Sequence, residues 1–181
     1  MSGFRHLDDD LVHDGYVISL YNSRFEAPDG TKFERDVVRH PGAVSIVPVY
    51  DNGDVVLVSQ FRAPLNAFAI EIPAGKRDVP DEAVEVTAAR ELEEEVGLIA
   101  GRLELLSRFH NSIGFCDEES YVFLGQDLTQ TEMNRDGLEE TYMNVITVPL
   151  VKAVEMVSAG EITDAKTVIG LTMAASRLKL T

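Results

Sequence analysis

The sequence predicts an α+β sandwich, a mixed sheet between helices, with an additional antiparallel β segment at its N-terminus. Three observations lead there. Short β-rich runs separated by turn signals fill the first half of the chain; a Gly- and Pro-free amphipathic stretch follows at 81–96; further strands then lead into two closing helical stretches.

Residues 16–27 and 32–38 flank Pro28-Asp29-Gly30, turn chemistry that predicts an N-terminal hairpin. Residues 43–50 and 55–62 flank Asp51-Asn52-Gly53-Asp54, which predicts a second hairpin, and 68–73 reads as a further strand. The period then changes to helical. Val86, Ala88, Ala89, Leu92 and Val96 share one side of 81–96, with Asp81 placed to cap the start and Gly97 to stop the end. Strands resume at 103–109, 121–125 and 144–148; helices are expected at 150–159, stopped by Gly160, and at 164–178. With no repeat or linker to divide the chain, the boundary signal is His40-Pro41-Gly42. It predicts an N-terminal β-rich segment over 1–41 and a main domain over 42–181.

A chain of 181 residues with 45% hydrophobic and 26% charged residues buries a sizeable core. Its 16 Lys and Arg against 31 Asp and Glu give a formal net charge of −15, a field that repels nucleic acid and anionic membranes. A phosphate-bearing ligand would need local cations to reverse that sign. The opening residues lack an apolar leader and no later stretch reaches the roughly 20 apolar residues of a span, so a cytoplasmic protein is expected. The lone Cys116 precedes Asp117, Glu118 and Glu119, which disfavour a thiolate; it reads as a bystander.

On the 81–96 helix, Glu91, Glu94 and Glu95 fall within an arc of about 100°. They lie apart from the apolar stripe and in the last turn, where the helix dipole is already negative. Like charges so placed destabilise a bare helix by a few tenths of a kcal/mol per pair. A hard divalent cation, which prefers carboxylate oxygens and completes its shell with water and phosphate, would compensate them.

Counted from Gly75, the residues Glu82, Arg90, Glu91, Leu92, Glu94, Glu95, Gly97 and Leu98 resemble the Nudix box, with Lys76 to Asp81 one residue longer than the usual loop. That resemblance implies a Nudix-type α/β/α sandwich and a Mg²⁺-dependent hydrolase of nucleoside diphosphate derivatives, with Mn²⁺ as a substitute. It makes Glu91 and Glu95 principal metal ligands, adds Glu94 directly or through water, and makes Arg90 a positioning residue paired with a carboxylate such as Glu82.

Before the box, Ser59-Gln60-Phe61-Arg62 and Glu71-Ile72-Pro73-Ala74-Gly75, and after it Gly160 to Thr167, are similar to the ADP-ribose pyrophosphatase branch. The branch implies the Ala74 carbonyl as a further metal ligand. It also implies a general base in the polar run Asp136 to Thr141, where Glu139 is preferred and Glu140 is the alternative. A two-fold homodimer with crossed N-terminal segments would share its substrate sites. Arg62 and Arg35 are the candidate phosphate-binding cations. The chain has no Trp, so Phe33 or an N-terminal Tyr is left to stack on a base. Ile113 stands where the branch usually has Pro, which keeps other nucleoside diphosphate sugars open beside ADP-ribose. A non-catalytic nucleotide sensor is the rival of a different class, but it would be expected to lose box acids, and all are present.

Overall fold

A computed structural model describes residues 3–134 and 141–180. In chain order the elements are β1 (Arg5–Asp14), β2 (Ser19–Glu26), β3 (Lys32–Arg39), β4 (Ala43–Pro48), β5 (Asp54–Arg62), a 3-10 turn (Ala63–Leu65), β6 (Ala67–Glu71), β7 (Ala74–Lys76), α1 (Val84–Val96), β8 (Leu98–His110), β9 (Glu119–Gln130), β10 (Asn144–Pro149), α2 (Leu150–Ser158) and α3 (Ala165–Arg177). They fall into two units. One holds the residues up to Gly42 with Phe109–Glu119; the other holds Ala43–Arg108 and Ser120–Thr181.

In the first unit the sequence predicts a hairpin, and the structure has a three-stranded antiparallel sheet in the order β1-β2-β3. β1 escapes prediction because its run, RHLDDDLVHD, is mostly exposed and has no apolar alternation to signal a strand. Its acids are instead met across the ladder: Arg24 donates to Asp8 at 2.5 Å and to Asp10 at 2.9 Å, and Ser23 donates to Asp9 at 2.5 Å. The Phe109–Glu119 excursion joins the same unit through Val38, whose N–H donates to Phe115 O at 2.7 Å and whose carbonyl accepts from Asp117 N at 3.1 Å.

The second unit carries a four-stranded mixed sheet in the order β7-β4-β9-β8 and a three-stranded sheet in the order β10-β5-β6. β4 runs antiparallel to β7 and parallel to β9. The Asp51-Gly53 turn forms, but the hairpin expected around it does not: the two runs pair as a ladder only at the Val49–Val55 bridge, just past the end of β4. Both hydrogen-bonding edges of β4 are taken by β7 and β9, and both edges of β5 by β6 and β10, so the two strands part into different sheets.

Alternation along β4 sends side chains to both faces of the sheet. Val44 and Ile46 pack with Phe123 against Ala88, Leu92 and Val96 of α1. On the other face α3 comes so close at Gly170 that a Cβ there would lie 2.9 Å from Val47 and 3.0 Å from Ile72 and Val122. The sheet is thereby sandwiched between α1 and α3. Leu92 is fully buried, and its truncation to Ala is worth about 2–5 kcal/mol. Among the described residues no helix is long and apolar enough to cross a membrane.

Candidate active site

α1 forms because 84–96 contains neither Gly nor Pro, and it ends where Gly97 turns left-handed at φ 64° and donates its N–H to Glu93 O at 2.9 Å. The position demands glycine, since a Cβ would meet Met133 Cγ and Thr131 O at 2.9 Å. The start differs from expectation. Asp81 is itself left-handed at φ 62° and caps nothing; Ala83 holds the N-cap position without a side-chain bond. The apolar stripe is also narrower than the spacing predicts. Ala88, Leu92 and Val96 are buried, whereas Ala89 is exposed and Val86 is 54% exposed, and Thr87 and Glu95 take buried places instead.

Glu95 is only 4% exposed, and its Oε2 accepts the Ala74 N–H at 3.0 Å. Glu91 lies against the same strand: a Cβ on Gly75 would fall 1.8 Å from the Glu91 carboxyl carbon. Glycine at 75 is thus what lets a carboxylate seat on the β7 backbone. Arg90 reaches Glu91 Oε1 and Glu94 Oε2 at 2.9 Å each, with Glu82 at 3.5 Å and Asp78 at 3.8 Å. The Glu82 approach lacks hydrogen-bond geometry. Glu82 Oε2 and the Nε and Nη2 of Arg90 are buried without a partner, so the pairing expected between them is an ion pair at most. Burial pushes the Glu91 carboxyl up to about 7; Arg90 opposes the shift, and Glu94 and Asp78 add to it.

The donors here are hard carboxylate oxygens, two of them pressed onto β7, with Arg90 paired to Glu91 and Glu94. That donor set suits a divalent metal such as Mg²⁺. With Arg90 drawing Glu91 and Glu94 to itself, no set of three or more His, Cys, Asp or Glu converges on one point among the described residues. Glu139 and Glu140, the candidate bases, lie outside those residues.

Residues 39–166 match the family model of the NUDIX domain. The chain belongs to the Nudix family. Among its relatives is the ADP-ribose pyrophosphatase of Bacillus subtilis (strain 168), 42% identical over 156 residues, which are 86% of this chain and 84% of the relative. The methanol dehydrogenase activator of Bacillus methanolicus is 37% identical over 161 residues, 88% of this chain and 86% of that protein. A solved ADP compounds hydrolase shares the fold at a TM-score of 0.84 and 22% identity, with 97% of this chain and 94% of that one covered.

The other candidates of this Nudix hydrolase are placed as follows. Arg62, expected to meet phosphate, turns Nε and Nη2 onto Glu71 at 2.6 and 2.5 Å. Within the first unit, the Arg35 guanidinium lies 4.8 Å from the Phe33 ring centre and donates to Glu34 O at 2.7 Å. Phe33 stacks on Phe25 at 5.5 Å and meets the edge of Phe4 at 6.2 Å. These rings line a cavity of about 490 Å³ that Ile113 and Phe115 also border. Sequence reasoning assigned no role to Glu71 or Lys166. Their signal was an acid one position before the buried Ile72-Pro73 pair and a lysine two residues past the Asp164 cap, and neither spacing announces that the two side chains meet.

Proposed function

We propose that the protein hydrolyses the pyrophosphate bond of a nucleoside diphosphate derivative, with ADP-ribose as the substrate and AMP and ribose 5-phosphate as the products. The observation that carries this reading is the seating of Glu91 on Gly75 beside the Glu95 bond to the Ala74 amide, which sets two carboxylates on one strand backbone. Names of relatives add ADP-ribose as the specific substrate. Glu91, Glu95, Glu94 and the Ala74 carbonyl would hold Mg²⁺, with Mn²⁺ able to replace it. When bound, the cation would neutralise the diphosphate and make bound water more acidic.

The chain's own groups do the rest. Arg90 orients Glu91 and Glu94 through its paired contacts at 2.9 Å. Glu139, or Glu140 beside it, takes the proton of the attacking water, a task for a carboxylate that no metal saturates. Arg62, turned toward Glu71 by two of its N–H groups, offers the rest of its guanidinium to a phosphate oxygen. Arg35 and Phe33 serve the nucleoside end from a neighbouring copy in a cytoplasmic homodimer. The dimer reading is supported by the exposed apolar residues of the N-terminal unit, among them Leu11, Val12 and Ile18.

The test is product analysis. ADP-ribose with Mg²⁺ should yield AMP and ribose 5-phosphate in equal amounts, faster than other nucleoside diphosphate sugars react, and chelation should stop the release. Preference for a different nucleotide sugar would move the substrate assignment. Sedimentation of a chain lacking 1–38 tests the dimer: an active monomer with unchanged KM contradicts the shared site.

A further inference from the structure

The run from Glu71 to Gly75 is held residue by residue. Its last two members meet α1: the Ala74 N–H bonds Glu95, and Gly75 receives Glu91. Its middle is tied to β4 by the Ile46 N–H donating to Pro73 O at 2.9 Å. Its first two members meet α3. Glu71, 1% exposed, takes the ammonium of Lys166 as well as the Arg62 fork. Ile72 follows the last ladder pair of β6, Val58 with Glu71, and precedes a proline that has no N–H. The amide of this fully buried residue would be an orphan there, and it donates to Thr167 Oγ1 at 3.0 Å.

The first turn of α3 is itself fixed. Asp164 caps the helix by accepting from Thr167 N at 3.0 Å and Thr167 Oγ1 at 2.6 Å, and it also meets Lys166 at 3.0 Å. The Thr167 hydroxyl therefore donates to the cap and accepts from Ile72, which uses the group in both senses. Gly170, one turn on, allows the close approach to Val47, Ile72 and Val122 that brings Thr167 and Lys166 within reach.

We propose that Lys166 and Thr167 are positioning residues for the cation site: they hold the Glu71–Gly75 run at the height where its backbone and the α1 carboxylates act together. The proposal rests on the metal assignment made above. The β4 ladder, which pairs Val44 with Gly75 and Ser45 with Ala74, fixes one end of the run, and Lys166 and Thr167 fix the Glu71–Ile72 end; a shift at that end is transmitted along the strand to Ala74 and Gly75. As positioning residues, Lys166 acts through Glu71 and Thr167 through Ile72.

The experiment is Mn²⁺ titration by calorimetry on the substrate-free full chain, with thermal unfolding run alongside. Lys166→Met and Thr167→Val should each weaken Mn²⁺ binding by about tenfold, the scale seen when the groups supporting a metal's ligands are removed. Lys166→Arg and Thr167→Ser, which keep the ammonium-like charge and the hydroxyl, should restore it to within about threefold of wild type. If Met or Val prevents folding, the Arg and Ser variants still report, because the proposal requires a smaller loss in them than in Lys166→Gln and Thr167→Ala. A lowered Tm with unchanged Mn²⁺ affinity in the folded variants would mean a structural role only and overturns the proposal. Glu95→Gln is the separate control. If it binds Mn²⁺ like wild type, the metal assignment itself fails; if it loses binding while the α3 variants do not, only the positioning role fails.

Discussion

Two groups of buried and half-buried carboxylates flank the Glu71–Gly75 run, and they differ in how their charge is met. On the α3 side, Glu71 and Asp164 face Arg62 and Lys166, two acids for two cations. Burial alone would raise Glu71, but the Arg62 hydrogen bonds and the Lys166 charge outweigh it and hold the carboxyl below its ordinary value. On the α1 side, Glu82, Glu91 and Glu94 gather on Arg90, Glu95 accepts the Ala74 N–H, and Glu91 is pushed up to about 7. The first group is matched charge for charge; on the proposed function the second takes a further cation. Carboxylates on the two sides of one backbone run thus differ in how their charge is met, and the proposed function makes the α1 side the cation site.

Breaking the α1 side should cost activity, not fold. Glu95→Gln should lower kcat by roughly a thousandfold or more while circular dichroism stays native, because an amide oxygen is a poor substitute for a carboxylate bound to Mg²⁺. Near-wild-type kcat at saturating Mg²⁺ would remove Glu95 from the ligand set. Glu139→Gln should reduce kcat by about a hundredfold or more with metal affinity unchanged; if Glu140→Gln does so instead, the base is the neighbouring residue. Gly75→Ala sharpens the geometry. Its new Cβ would collide with the Glu91 carboxyl, the far end of a flexible side chain, so the fold should survive while Glu91 is displaced and kcat drops by about a hundredfold.

Breaking the α3 side should cost fold. Glu71→Gln leaves the Arg62 and Lys166 charges without their buried acid and should destabilise by about 3 kcal/mol at pH 7. The sign of the pH dependence follows from the depressed value. Glu71 contributes stability above its ordinary 4.5, and that contribution is lost as pH falls through the lower folded value. Urea unfolding at pH 7 and below 4.5 should therefore show a gap between wild type and Glu71→Gln that narrows in acid; a gap independent of pH would place the loss in packing.

What the sequence made legible follows the same division. The helical period and the Gly97 stop are local properties and are found in the structure, whereas Glu95, expected apart from the apolar stripe with Glu91 and Glu94, is buried beside it against Ala74. Asp81 misled because the bend before α1 turns it left-handed, so a good capping residue sits where it cannot cap. Val86 and Ala89 misled because apolar periodicity marks a face without saying how far the sheet beneath it extends. The parting of β4 and β5 depended on partners far away in sequence, β9 and β10. The Glu71–Lys166 contact spans 95 residues and leaves no local trace.

The proposed cation site is tested most directly by thermal unfolding with and without Mg²⁺ in the absence of substrate. A cation that binds only the folded chain raises Tm by mass action, by about 2.7 kcal/mol of stability at one hundred times its Kd. Wild type should gain that stability; Glu95→Gln should not, and Glu71→Gln should start lower yet still respond. A Tm that ignores Mg²⁺, or one that rises equally in wild type and Glu95→Gln, would contradict a cation site on α1.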